Sequence, residues 1–75
     1  LKYLIIQNHV NLKLNFLTHF DLTTLRLPFN NITNIEPVFN LTNLIEFYAY
    51  NNKIKSIIGI QSLQKLKILN ISNTG

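Results

Sequence analysis

The sequence predicts an α/β-type solenoid, a right-handed coil with a short parallel β-sheet on its concave side and 3₁₀ or extended return segments on its convex side. Three observations lead to this prediction. Apolar residues recur with a period of about 22 residues, each period opens with the alternation of a short strand, and each continues with an apolar residue at every third position. Neither half of such a unit can bury its apolar side alone, so successive units are expected to stack.

The repeat is clearest from Leu22 onward. Its first half consists of Leu22, Leu25, Leu27 and Ile32, followed one period later by Leu44, Phe47, Ala49 and Ile54, and then by Leu66, Leu69 and Ile71. The units therefore span about residues 1–21, 22–43 and 44–65, with a partial unit at 66–75. We expect the first unit to be one residue shorter than the others and to have an altered turn, because its apolar residues lie one position out of phase. The whole chain, 1–75, is expected to be a single array and an excerpt of a longer protein, since the repeat stops in mid-unit.

Each half of the unit indicates a different local structure. The pattern Leu-x-x-Leu-x-Leu ends in the period-2 alternation of a strand, with one face turned inward and the other outward. The second half places an apolar residue at every third position, which suits a 3₁₀-like or extended path rather than a long α-helix. Those residues are Leu14, Leu17 and Phe20, then Ile35, Val38 and Leu41, then Ile57, Ile60 and Leu63.

An asparagine stands between the two halves of the unit, where the chain must turn. Asn30 and Asn52 occupy this position, and His9 and Thr74 occupy it as imperfect substitutes. A carboxamide can both donate to and accept from backbone groups that a bend leaves unpaired. We therefore expect Asn30 and Asn52 to be buried and structural, forming a turn ladder with the other two.

The segment Leu41-Thr42-Asn43-Leu44 through Asn51-Asn52-Lys53-Ile54-Lys55-Ser56-Ile57 resembles the 22-residue type of leucine-rich repeat. That type is found in a regulatory subunit of type-1 protein phosphatase and in bacterial internalins. The resemblance implies a leucine-rich-repeat coil that holds another protein, of unknown identity, on its concave face. The location stays open between an intracellular regulator and a cell-surface protein, because the subfamily includes both.

The residue types that catalysis or metal binding requires are not grouped in the sequence. His9 and His19 are ten residues apart, with no cysteine in the chain and no carboxylate at ligand spacing. The three acidic residues, Asp21, Glu36 and Glu46, do not pair as a general acid and base would. The two glycines form no phosphate-binding loop. We therefore expect no enzyme, no cofactor and no metal site.

The charge and the apolar runs argue against two further classes of partner. The net charge is +4, but the four lysines of the C-terminal third, Lys53, Lys55, Lys65 and Lys67, are spread over turns rather than aligned on one face. Nucleic-acid binding is therefore disfavoured. No apolar run approaches the roughly 18 residues of a membrane span, so no membrane insertion of this segment is expected.

The strand residues that point outward should form the binding surface. They are Tyr3, Ile5 and Gln7, then Thr24, Arg26 and Pro28, then Glu46, Tyr48 and Tyr50, then Ile68, Asn70 and Ser72, with Phe29 and Asn51 just past the strands. Tyrosine and arginine are enriched among the residues that dominate binding energy at protein interfaces. The sequence thus favours a non-catalytic protein-binding module, with Tyr48 at the centre of its surface. The alternative is a structural spacer in a longer array whose binding surface lies elsewhere.

Overall fold

The computed structural model describes residues 1–73, which alternate between short strands and 3₁₀ segments. The strands are β1 (Tyr3–Ile5), β2 (Thr24–Arg26), β3 (Glu46–Tyr48) and β4 (Ile68–Asn70). The 3₁₀ segments are η1 (Asn15–His19), η2 (Glu36–Asn40) and η3 (Ile60–Ser62), one after each of the first three strands. Residues 1–73 contain no α-helix, and thus no helix long and apolar enough to cross a membrane.

The four strands form one parallel sheet in the order β1-β2-β3-β4. Tyr3 pairs with Thr24, Thr24 with Glu46 and Glu46 with Ile68, so the first step along the sequence is one residue shorter than the two that follow. These steps equal the unit lengths that the apolar pattern predicts. The predicted parallel sheet and its register are confirmed.

The 3₁₀ segments follow from the spacing of the apolar residues. The Ile35 carbonyl accepts the N–H of Val38 (2.9 Å), the Val38 carbonyl accepts that of Leu41 (3.0 Å), and the Leu41 carbonyl accepts that of Leu44 (3.0 Å). The same series runs through Ile57, Ile60, Leu63 and Leu66. Hydrogen bonds between residues three apart define the 3₁₀ geometry, which turns once every three residues and keeps those side chains on one side. The predicted 3₁₀ return segments are therefore confirmed.

The core lies between the sheet and these segments. The middle residues of the inner strands, Leu25 and Phe47, are fully buried, as are Leu17, Ile35 and Val38 from the return segments. Burial of each such side chain stabilises the fold by about 1.5–3 kcal/mol. The core is therefore built by the residues that the repeat assigns to it.

Several side chains differ from the sequence pattern. Phe39 lies outside the apolar columns but is buried, and it packs beside Gly59. Phe20, Ile57 and Leu69 belong to the columns but are about 40% exposed. Leu69 lies on an outer strand with a partner on one side, and no further return segment among residues 1–73 covers Ile57.

Candidate functional site

The open face of the sheet is defined here as the side of the strands turned away from the core. Alternation puts the first and third residues of each strand on this face, because the middle residue points into the core. The register aligns Ile5, Arg26, Tyr48 and Asn70 in one row. The other row contains Tyr3, Thr24, Glu46 and Ile68. The predicted surface residues on the strands are therefore neighbours in space.

Arg26 is held in place at the centre of the open face. Its guanidinium carbon lies 4.4 Å from the centroid of the Tyr48 ring, a cation–π contact. Its Nη1 donates a long hydrogen bond of 3.5 Å to the Tyr3 hydroxyl, and this bond is the main cause of a raised Arg26 pKa. The one ion pair among residues 1–73 joins Lys2 to Asp21, so Arg26 has no carboxylate partner within that part of the chain.

Tyr48 is fixed from two sides. Its ring faces Arg26, and its hydroxyl donates a hydrogen bond of 2.7 Å to Oε1 of Glu46. That bond to the Glu46 carboxylate raises the pKa of the Tyr48 hydroxyl. The side chain is half-buried, as are Arg26 and Glu46. The two charges of the open face are thus linked through one tyrosine.

Phe29 and Tyr50 form a second aromatic contact, just past the ends of β2 and β3. Their rings meet edge to face, with centroids 5.9 Å apart and an interplanar angle of 85°. Phe29 is 50% exposed, and its φ of 60° is left-handed. The equivalent residues of the other turns have φ values between 55° and 62° and are all asparagine: Asn8, Asn51 and Asn73. Phenylalanine is unusual in this conformation, since bulky residues rarely adopt positive φ.

The remaining predicted surface residues are exposed to different degrees. Ile5 is 49% exposed and Ile68 is 43% exposed, one on each outer strand. The Asn70 carboxamide oxygen accepts two hydrogen bonds from Ser72, from its N–H (3.1 Å) and its hydroxyl (2.8 Å). Pro28 is buried, so its predicted place on the exposed surface is wrong. The rigid ring of Pro28 carries no polar atom that would need water.

The turn asparagines lie past the ends of β2 and β3 and join adjacent turns. Oδ1 of Asn52 accepts the N–H groups of Asn30 (2.9 Å) and Ile32 (3.0 Å), and its Nδ2 donates to the carbonyls of Leu27 (2.7 Å) and Ala49 (2.9 Å). A further bond from Nδ2 reaches the Tyr50 carbonyl at 3.3 Å. The side chain is only 3% exposed. Asn52 therefore stabilises both the turn that follows β2 and its own turn, which follows β3.

Asn30 repeats this arrangement one turn earlier. Its Oδ1 accepts the N–H of His9 (2.8 Å), and its Nδ2 donates to the Ile6 carbonyl (2.8 Å). Both asparagines are buried, as the pattern predicts. His9 differs from the expectation, because its ring is exposed and, among residues 1–73, accepts only the N–H of Asn11 (3.3 Å). It joins the ladder through its backbone N–H, which donates to Asn30. Thr74, the fourth predicted member, lies outside the described residues.

A second series of contacts runs along the surface just before the strands. Lys2 donates to Asp21 (3.1 Å), Asn43 donates to the other oxygen of Asp21 (2.8 Å), and Lys65 donates to the side-chain Oδ1 of Asn43 (2.7 Å). Sequence reasoning missed this series. The signal was present, since residues 21, 43 and 65 are spaced by the repeat and are all polar.

No three histidine, aspartate or glutamate side chains within residues 1–73 are placed to hold one metal ion. The site that the structure brings together is instead aromatic, with one cation and one anion. The chain matches no protein-family model, and neither the curated proteins nor the solved structures contain a significant match to it.

Proposed function

We propose that the chain is part of a leucine-rich-repeat solenoid and that it acts as a non-catalytic protein-binding module through its open face. In this interpretation the open face is the concave side of the coil and the 3₁₀ segments form the convex side. The observation that carries the proposal is the fixed Arg26–Tyr48–Glu46 group at the centre of the sheet. It lies among exposed apolar side chains rather than among solvated charges.

Three kinds of structure share one period, which supports the solenoid. Sheet pairs, 3₁₀ hydrogen bonds and asparagine side-chain bonds all recur at steps of 21 or 22 residues. A shared period means that each unit makes the same contacts with the next, which is the organisation of a stacked repeat. Asn30 and Asn52 would then be the structural turn residues of that repeat.

The open face has the composition of a binding surface. Tyrosine and arginine dominate binding energy at interfaces because they bury large areas and still make directed polar contacts. Here Tyr48 and Arg26 are already held by intramolecular contacts, so less side-chain entropy would be lost on binding. Exposed Ile5, Ile68 and Phe29 add apolar area that a strand facing only water has no need of.

The spacer alternative predicts a different surface. A spacer would gain solubility from mixed charges and would have no reason to expose aromatic rings. On this face the strands carry two charged residues, Arg26 and Glu46, and both are engaged with Tyr48. The four C-terminal lysines are not aligned along the strands, so a nucleic-acid partner is less well supported than a protein.

Truncation of Tyr48 tests the proposal. A random peptide library would be panned against the immobilised 75-residue chain, and the affinities of the enriched peptides would be measured by titration. Tyr48→Ala should weaken their binding by about 2 kcal/mol or more, because the central, most desolvated side chain contributes most. Circular dichroism should show an intact fold, since Tyr48 points away from the core.

Lys55→Ala serves as the control, because Lys55 is exposed on the return path after the Asn52 turn. It should change the affinities little. Equal losses for both variants, or a loss for Lys55→Ala alone, would move the binding site away from the open face and favour the spacer.

A further inference from the structure

We propose that the open face recognises an acidic protein segment in which a carboxylate lies close in sequence to an apolar side chain. The carboxylate would bind Arg26, and the apolar side chain would pack on the Phe29–Tyr50 pair. This inference rests on the proposed function and specifies the chemistry of the partner.

The Arg26 guanidinium is held in one orientation, but it makes only one long hydrogen bond among residues 1–73. A guanidinium has five N–H donors, and the single side-chain bond of Arg26 among residues 1–73 is the 3.5 Å contact with the Tyr3 hydroxyl. The Tyr48 ring fixes one face of the guanidinium, while the residue stays half-buried. A carboxylate can accept two parallel hydrogen bonds from such a group, and these are among the stronger polar contacts at interfaces. The donors of Arg26 are therefore suited to an acidic side chain.

The charge of the whole chain favours the same partner. The net charge is +4, and Asp21 and Glu36 do little to repel a carboxylate at Arg26, whereas Glu46 on the adjacent strand opposes it. Asp21 is bound by Lys2 and Asn43, and Glu36 lies in η2 on the return side. A net positive charge raises the rate at which an acidic segment associates.

Phe29 supplies an independent reason for the apolar half of the proposal. Left-handed backbone costs a bulky residue about 1–2 kcal/mol more than its ordinary conformation, and asparagine fills this position in the other three described turns. The ring is half-exposed, so burial does not account for its presence. Backbone strain of this kind is retained where the side chain has a function. The edge-to-face contact between Phe29 and Tyr50 orients both rings, which form an aromatic surface beside the row that contains Arg26.

A phosphate group is a poorer fit than a carboxylate. Sites for phosphorylated peptides usually gather several basic side chains, and among the described strand residues of the open face Arg26 is the only basic one. Glu46 on the adjacent strand β3 would also repel a dianion more strongly than a single carboxylate.

Synthetic peptides test the inference directly. The probes would be fluorescein-labelled nonapeptides of serine and glycine that carry one leucine and one glutamate, one to four residues apart. Matched peptides would carry glutamine or phosphoserine in place of glutamate. With the parent chain, fluorescence anisotropy should give at least about tenfold tighter binding for the best glutamate peptide than for its glutamine counterpart.

Two variants and one control separate the two contacts. Arg26→Gln should abolish the preference for glutamate over glutamine, whereas Lys55→Gln removes the same charge on the return path and should preserve it. Phe29→Asn should weaken all the leucine peptides by about fivefold or more and keep the glutamate preference. Its thermal midpoint should stay close to that of the parent, because relief of the left-handed strain offsets the lost contact with Tyr50.

Equal binding of the glutamate and glutamine peptides would overturn the inference, as would a loss of preference in Lys55→Gln equal to that in Arg26→Gln. Tighter binding of the phosphoserine peptide would assign the face to phosphorylated partners instead. Failure of every peptide to bind up to about 1 mM would also overturn it. The library selection with Tyr48→Ala remains a separate test of whether the open face binds protein at all.

Discussion

At the scale of single residues, Asn52 shows how a polar side chain can hold an apolar repeat together. Its carboxamide takes part in five hydrogen bonds, all to backbone groups of two adjacent turns. Buried backbone groups without a partner are costly, and a turn cannot pair them within a sheet. The asparagine side chain meets this need, because its carboxamide both donates and accepts hydrogen bonds and is short enough to reach the backbone of the turn. The same argument explains Asn30.

Asn52→Leu should lower the free energy of unfolding by about 1–3 kcal/mol, because the N–H groups of Asn30 and Ile32 would lose their acceptor. Thermal and urea unfolding of the parent and the variant would measure the loss. Asn40→Leu is the matched control, since Asn40 is exposed and its side chain forms no hydrogen bond among residues 1–73. Equal midpoints for the parent and Asn52→Leu would contradict the structural role of this residue.

At the scale of elements, η3 begins differently from η2. Glu36–Asn40 contains Pro37 near its start, whereas Ile60–Ser62 follows Gly59, whose φ is 105°. A Cβ atom at Gly59 would lie 2.9 Å from Cδ2 of Phe39, a distance that a folded structure does not tolerate without a shift. The left-handed turn and the close approach of the Phe39 ring both require glycine here.

Gly59→Ala should therefore destabilise the chain by about 1–3 kcal/mol, through backbone strain together with the clash. Urea unfolding would measure the loss. The same substitution in a Phe39→Leu background should cost less than in the parent, because the smaller side chain leaves room for the methyl group. An equal loss in both backgrounds would mean that backbone strain alone is responsible.

At the scale of the whole molecule, the Lys2–Asp21–Asn43–Lys65 series links the three full units of the repeat along their exposed surface. Asn43 and Lys2 both donate to Asp21, and the bond from Asn43, followed by that from Lys2, lowers the pKa of this carboxyl. A lowered pKa in the folded state stabilises the fold at a pH above the unfolded value of about 3.9. That stabilisation is lost as the pH falls through the lower, folded value.

Asp21→Asn should accordingly melt about 1–4 °C below the parent at about pH 6, with the difference narrowing at about pH 2. The effect is small because the contacts are exposed to solvent. Melting curves at both pH values would measure it. Glu36→Gln removes the same charge from an exposed residue whose side chain has no ion pair in the described part of the chain, and it should change the midpoint little. If the difference in melting temperature between Asp21→Asn and the parent were larger at the lower pH, the stabilising role assigned to the Asp21 carboxylate would be contradicted.

Much of the fold could be predicted from the sequence because the spacing of apolar residues within each unit indicates its local structure. Leu25 and Phe47 alternate with outward residues, and Ile35, Val38 and Leu41 follow at every third position, so strand, 3₁₀ segment and register can be derived from spacing. The burial of Asn30 and Asn52 follows from the same spacing, since a turn between two buried halves needs a side chain that satisfies its backbone. The row of Ile5, Arg26, Tyr48 and Asn70 follows as well, because parallel pairing at a constant step aligns them.

What spacing cannot supply is how side chains from different units meet. The position of Arg26 over the Tyr48 ring and the edge-to-face contact of Phe29 with Tyr50 join different units and depend on rotamers. The bond from Tyr48 to Glu46, within one strand, depends on rotamers too. The burial of Phe39 beside Gly59 and the exposure of the His9 ring also depend on neighbours that a single period does not specify. Periodicity therefore assigns most residues to a face of their unit, whereas packing sets which contacts each residue makes, because those contacts arise only once the strands and 3₁₀ segments lie against each other.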